Sequence, residues 1–231
     1  MPDIPKIKIC GITNVDDAYN ALDLGADTIG FVFYEKSKRY VSPETAKGII
    51  RELRKTAGKN KKNFLSVKRN IIITGVFVNE GSENIKKIVK DLDIDIIQLS
   101  GNESLNYIEE SGIDKNIVLK AVHVKEEKDL EVIYLYKEAG VNVLIDAFGG
   151  EGVFGGTGIS VNLNIMKNLN ASNLILAGGI GQDNIEYIIK YLKPYGIDLS
   201  SKIEDLPGRK NYDKMALFFK NFRRASYATA R

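Results

Sequence analysis

Eight short runs of β-branched and other apolar residues alternate along this chain with eight stretches of helical period, and that alternation constrains its fold more than any other feature. The runs read as strands at 6–12, 28–33, 71–79, 95–101, 116–124, 141–148, 174–180 and 196–204. Helical stretches fall near 14–25, 43–57, 81–92, 103–111, 126–139, 160–170, 182–193 and 212–226. Start signals support several of them. Ser42, Pro43 and Glu44 supply a cap, a proline at the first helical position and an acidic first turn, and Asn14 and Ser82 read as caps. Strand, helix, strand with short connections builds a parallel sheet. Eight such units in 231 residues, a little under the roughly 250 usual for the fold, predict a single-domain (β/α)8 TIM barrel over 1–231, with an open doubly wound sheet as the alternative.

The charge balance narrows the partners. With 33 basic and 30 acidic residues the net charge of +3 does not by itself imply nucleic-acid binding. Basic residues gather between Arg51 and Asn70, but no aromatic ladder accompanies them, so the segment around 55–70 reads as a solvated insertion. One cysteine excludes an internal disulfide and a CxxC zinc site, and one histidine leaves little for a transition metal, so neither metal nor cofactor is expected. No run approaches the ~18 apolar residues of a membrane span, and no signal-type apolar region precedes the first strand. A cytoplasmic protein with no membrane partner is expected.

In a barrel the C-terminal ends of the strands converge on one mouth. The first end, Ile7-Lys8-Ile9-Cys10-Gly11-Ile12-Thr13, places the lone cysteine there, and the period of two puts Lys8 and Cys10 on the face opposite Ile7 and Ile9. After the second strand comes a cationic loop, Tyr34 to Tyr40, in which Arg39 suits a carboxylate or phosphate. Asp146 closes the sixth strand with the inward parity of Leu144, and partial burial there favours the protonated form that a general acid requires. Glycines and serines mark the remaining ends: Gly149-Gly150, Gly155-Gly156-Thr157-Gly158, Gly178-Gly179 and Ser200-Ser201. Glycines let backbone N–H groups approach an anion, and loops seven and eight of such barrels often hold phosphate, so a small phosphorylated ligand is implied.

Each feature has an ordinary reading as well. A lone cysteine is often a small buried apolar residue, Asp146 could serve as a strand-end cap, and Arg39 could pair with Glu35 or Glu44. His123, on the fifth strand, reads as structural or incidental.

Taken together these motifs resemble the phosphoribosylanthranilate isomerases, barrel enzymes of tryptophan biosynthesis. The resemblance rests on Lys8 to Thr13, Gly30 to Phe33 with Ser37 to Pro43, Gly75 to Asn79, Ile97-Gln98-Leu99, Asp146, Gly155 to Gly158, Ala177 to Ile180, and Asp198 to Ser201 with Glu204 and Pro207-Gly208. It implies an Amadori rearrangement of N-(5-phosphoribosyl)anthranilate, with Asp146 as general acid, Cys10 as general base, Arg39 on the anthranilate carboxylate and the phosphate on Gly156, Gly178, Gly179, Ser200 and Ser201. It is compatible with a monomer or a homodimer. The chain departs from the family where histidine usually follows Gln-Leu and Ser100 stands instead, and where glycine usually follows the paired serines and Lys202 stands instead. The departures also include Lys210-Asn211, which follow Arg209. Two other readings stay open. One is the histidine-pathway Amadori enzyme, which resembles this architecture but uses aspartate where Cys10 stands; the other is a phosphosugar-binding barrel without catalysis.

Overall fold

The computed structural model describes residues 4–57, 71–124, 126–146 and 171–229. Eight parallel strands close into a barrel in chain order: β1 (Lys6–Cys10), β2 (Thr28–Val32), β3 (Ile72–Phe77), β4 (Ile96–Leu99), β5 (Val118–His123), β6 (Asn142–Asp146), β7 (Ile175–Ala177) and β8 (Gly196–Leu199). The ring shuts where β1 pairs with β8, Lys8 opposite Asp198 and Ile9 opposite Leu199. The open doubly wound sheet is thereby excluded.

Helices α1 (Val15–Leu24), α2 (Pro43–Ala57), α3 (Ser82–Leu92), α4 (Leu105–Glu110) and α5 (Asp129–Glu138) follow their strands, and the chain's last helix runs Tyr212–Thr229. Local sequence explains most starts. Asn14 caps α1 by accepting from Asp17 N at 2.9 Å, and Ser42 accepts from Thr45 N at 3.2 Å ahead of Pro43. Ser82 is not a cap. It is the first residue of α3, and Gly81 before it caps without a side chain. The predicted helix at 182–193 is a short turn, Ile185–Tyr187, that widens into a π-turn over Ile188–Leu192 and stops at Lys193, just before Pro194. The predicted eighth strand is also too long. It ends at Leu199, a 3-10 turn takes Ser201–Ile203, and Glu204–Leu206 (β9) pairs antiparallel with Arg209–Lys210 (β10).

The period of two sorts the side chains into two layers. Outward-facing Ile7, Ile9, Ile29, Phe31, Ile73, Phe77 and Ile97 are almost wholly buried beneath the helices. Inside the barrel lie two clusters, Leu119, Ala121, Leu144 and Ala177 from β5, β6 and β7, and Cys10, Val32 and Val76 from β1, β2 and β3. Gly30 on β2 makes room for the second: a Cβ there would stand 3.2 Å from both Cys10 Sγ and Lys8 Cε.

The basic segment divides. Arg54 is structural, donating to Ile71 O at 2.7 Å and to Asp95 Oδ2 at 2.8 Å, so it ties α2 to the starts of β3 and β4. Residues 58–70 lie outside the described residues, as do the predicted helix at 160–170, Gly149-Gly150 and Gly155 to Gly158 with Gly156 among them.

Candidate active site

A cavity of about 270 Å³ opens at the C-terminal mouth of the barrel, and Cys10, Arg39, Asp146, Gly178, Gly179, Ser200 and Ser201 all line it. A larger one, about 360 Å³, opens at the opposite end, where Lys6 and Asp27 form an exposed pair and no thiol is present. The thiol, the arginine and the strand-end carboxyl group are gathered at the smaller.

Cys10 ends β1 and is 8 % exposed. Burial pushes its thiol above the ordinary value, while the neighbouring Lys8 ammonium works the other way. Lys8 lies one step deeper, its Nζ 2.9 Å from Asp198 Oδ2, and both side chains are over nine-tenths buried. Burial disfavours the Lys8 ammonium, but the Asp198 carboxylate outweighs it, and Lys8 is held protonated above its usual range. A thiol and a carboxylate thus share one buried cation.

Asp146 ends β6 on the other side of the mouth, 31 % exposed, with its Oδ2 3.4 Å from Nδ1 of His123. His123 closes β5 directly opposite it in register and lines the same cavity. His123, expected to be structural or incidental, faces the mouth; the parity of β5, which turns Leu119, Ala121 and His123 inward, is the signal that places it there.

Arg39 pairs with neither Glu35 nor Glu44. Its Nε and Nη2 lie against both carboxylate oxygens of Glu204 at 2.7–3.0 Å. Lys210 Nζ reaches the same carboxylate and the Cys10 carbonyl oxygen, each at 2.6 Å. Burial works against the Glu204 carboxylate, but Arg39 and Lys210 hold it below the usual range. The β9–β10 hairpin therefore clamps both the arginine and the end of β1. Beside it, Asn211 accepts from Lys214 N at 2.8 Å and starts the last helix, which gives this departure from the family a structural role.

Gly178 and Gly179 both have positive φ, 86° and 65°, which only glycine adopts without strain in succession. Asn184 fixes this loop by accepting from Gly181 N and donating to Gly179 O, both at 2.9 Å. Gln98, on β4, donates to Ser100 Oγ at 3.0 Å. Among the described residues, Gln98 Oε1 and Asp198 Oδ1 are buried acceptors at the cavity wall that receive no hydrogen bond. Sequence reasoning marked neither of them as a site residue, because an inward polar side chain on a strand is visible only once the barrel closes.

A closed (β/α)8 barrel with a thiol, a carboxyl group and an arginine gathered at its C-terminal mouth defines a barrel enzyme equipped for acid–base chemistry. The family model for N-(5'-phosphoribosyl)anthranilate (PRA) isomerase matches residues 7–221, and the chain belongs to that family. The N-(5'-phosphoribosyl)anthranilate isomerase of Thermotoga petrophila is 35% identical over 220 residues, covering 94% of this chain and 97% of that one. The crystal structure of the Thermotoga maritima phosphoribosyl anthranilate isomerase superposes with a TM-score of 0.77 at 34% identity, covering 95% and 98% of the two chains. A second related structure, with a TM-score of 0.74, 34% identity and the same coverage, is of a phosphoribosyl anthranilate isomerase in complex with reduced 1-(o-carboxyphenylamino)-1-deoxyribulose 5-phosphate.

Proposed function

We propose that the protein catalyses the Amadori rearrangement of N-(5'-phosphoribosyl)anthranilate to 1-(2-carboxyphenylamino)-1-deoxyribulose 5-phosphate in tryptophan biosynthesis, with Asp146 as general acid and Cys10 as general base. The observation that carries this assignment of roles is the convergence of Cys10, Asp146 and Arg39 on one cavity.

Asp146 gives its proton to the ribose ring oxygen as the C1–O bond breaks, and the anthranilate nitrogen's electron pair forms a protonated Schiff base. Cys10, as the thiolate that the Lys8 ammonium favours against burial, removes the C2 proton. The released electron pair forms the C1–C2 double bond and neutralises the iminium. Ketonisation returns the C2 hydroxyl proton to Asp146 and delivers the thiol proton to C1, so acid and base are restored without a redox step. This accounting calls for placement and two proton carriers rather than a cofactor.

Arg39 has five N–H donors, and Glu204 takes those of Nε and Nη2, leaving Nη1 for the anthranilate carboxylate. Arg39→Ala is expected to raise KM more than it lowers kcat, since the contact is equally strong in ground and transition states. A fall in kcat at unchanged KM contradicts this role. Gln98 Oε1 and Asp198 Oδ1 accept hydrogen bonds from ribose hydroxyl groups. The backbone of Gly178-Gly179 and of Ser200-Ser201 cradles the phosphate, with Gly156 as a further contact. Inorganic phosphate or sulfate is accordingly expected to compete with substrate, and absence of competition far above physiological concentrations overturns the cradle.

The chain acts as one barrel domain, a monomer or a homodimer, in the cytoplasm. Loss of anthranilate-type fluorescence on adding phosphoribosylanthranilate, with chelator present and no added metal, tests the activity. Unchanged fluorescence together with turnover of the bisphosphorylated aminoimidazole of histidine synthesis would refute it.

A further inference from the structure

The geometry points to His123 as the residue that keeps Asp146 supplied with its proton, a positioning and relay role that rests on Asp146 being the general acid. Three observations meet here. His123 and Asp146 are register partners on adjacent strands, so the backbone ladder itself holds the two side chains side by side. The imidazole Nδ1 stands 3.4 Å from the carboxyl oxygen Oδ2, within reach of a hydrogen bond that tightens when a ligand fills the mouth. His123 is also 54 % exposed against 31 % for Asp146, so the imidazole is the member of the pair that water reaches more freely.

An acid at the mouth of a barrel meets a difficulty at neutral pH. Once its proton is spent the carboxylate must be resupplied, and an imidazole beside it can carry protons between water and the carboxylate at that pH. The pair acts as one reservoir. When Asp146 protonates the ring oxygen, His123 passes its Nδ1 proton to the carboxylate and recovers one from water; at ketonisation Asp146 takes the C2 hydroxyl proton as it hands its own back to His123, which returns one to water, and the balance closes. Asp198 faces Asp146 across the mouth and interacts with it, Cys10 and Arg39 line the remaining wall, and Lys8 is bound below to Asp198. On β5 itself, Lys120 is bound to Glu103 at 3.0 Å, and its buried ammonium lies on the opposite face of the strand from His123.

The test compares pH profiles of kcat and kcat/KM for the wild type, His123→Ala and His123→Asn, with Asp146→Asn as control and circular dichroism as the check on folding. His123→Ala is expected to lower kcat roughly tenfold at neutral pH with KM within about twofold, and to change the shape of the pH profile of kcat. Added imidazole is expected to restore part of the loss. His123→Asn, which offers an N–H at a similar place but no exchangeable second proton, is expected to behave like alanine. A wild-type profile in His123→Ala beside an inactive Asp146→Asn overturns the relay while leaving the proposed activity standing. Full rescue by His123→Asn overturns it too, reducing His123 to a scaffold. Failure of the wild type to convert phosphoribosylanthranilate overturns both and is seen before any variant is made.

Discussion

Asp146→Asn and Cys10→Ala are each expected to lower kcat by roughly 10²-fold or more while the protein keeps its fold. The two groups end β6 and β1 on different sides of one cavity, and each serves a different proton in a different step. Asparagine keeps the shape of the Asp146 side chain but has no acidic proton; alanine removes the thiol and leaves a small gap beside Val32 and Val76. Turnover followed by fading anthranilate-type fluorescence, beside an unchanged circular dichroism spectrum, measures the effect. Wild-type turnover by either variant refutes that residue's role.

The largest effect on stability is expected one layer deeper. Lys8→Met strips Asp198 of its partner in a place where both side chains are over nine-tenths buried, and an uncompensated buried charge of this kind costs about 3–5 kcal/mol. Chemical denaturation would read this as a lower midpoint at unchanged slope. Lys8→Met combined with Asp198→Leu is expected to recover most of the loss, because two apolar groups of similar volume leave no charge to solvate. If the single and double variants are equally unstable, packing rather than charge sets the cost.

The architecture was legible because the period of two and the helical period alternate cleanly, and because the caps at Asn14 and Ser42 follow from side-chain chemistry alone. Strand ends were less legible. At Leu199 the apolar pattern runs on through Ile203, and only the turn at Ser201 diverts the chain into the β9–β10 hairpin. Of the candidate site, Cys10, Arg39 and Asp146 could be picked out by residue type at strand ends. Their supports could not. Glu204, Lys210 and Asp198 act over separations of 165 to 200 residues, through contacts that local sequence does not encode. His123 was passed over for a different reason: a histidine beside valines looks ordinary until the carboxyl group in the next strand is seen.

The bond between Lys8 and Asp198 spans 190 residues. During synthesis at about 5–20 residues per second, the first strand therefore waits roughly 10–40 s for the partner of its inward lysine. Burying that ammonium before the eighth strand emerges would leave it without its carboxylate, so the cost of an unpaired buried charge disfavours early closure around it. The eighth strand thus closes the ring and supplies the carboxylate beneath the mouth together, and a chain truncated before Asp198 leaves Cys10 without the charged floor beneath it.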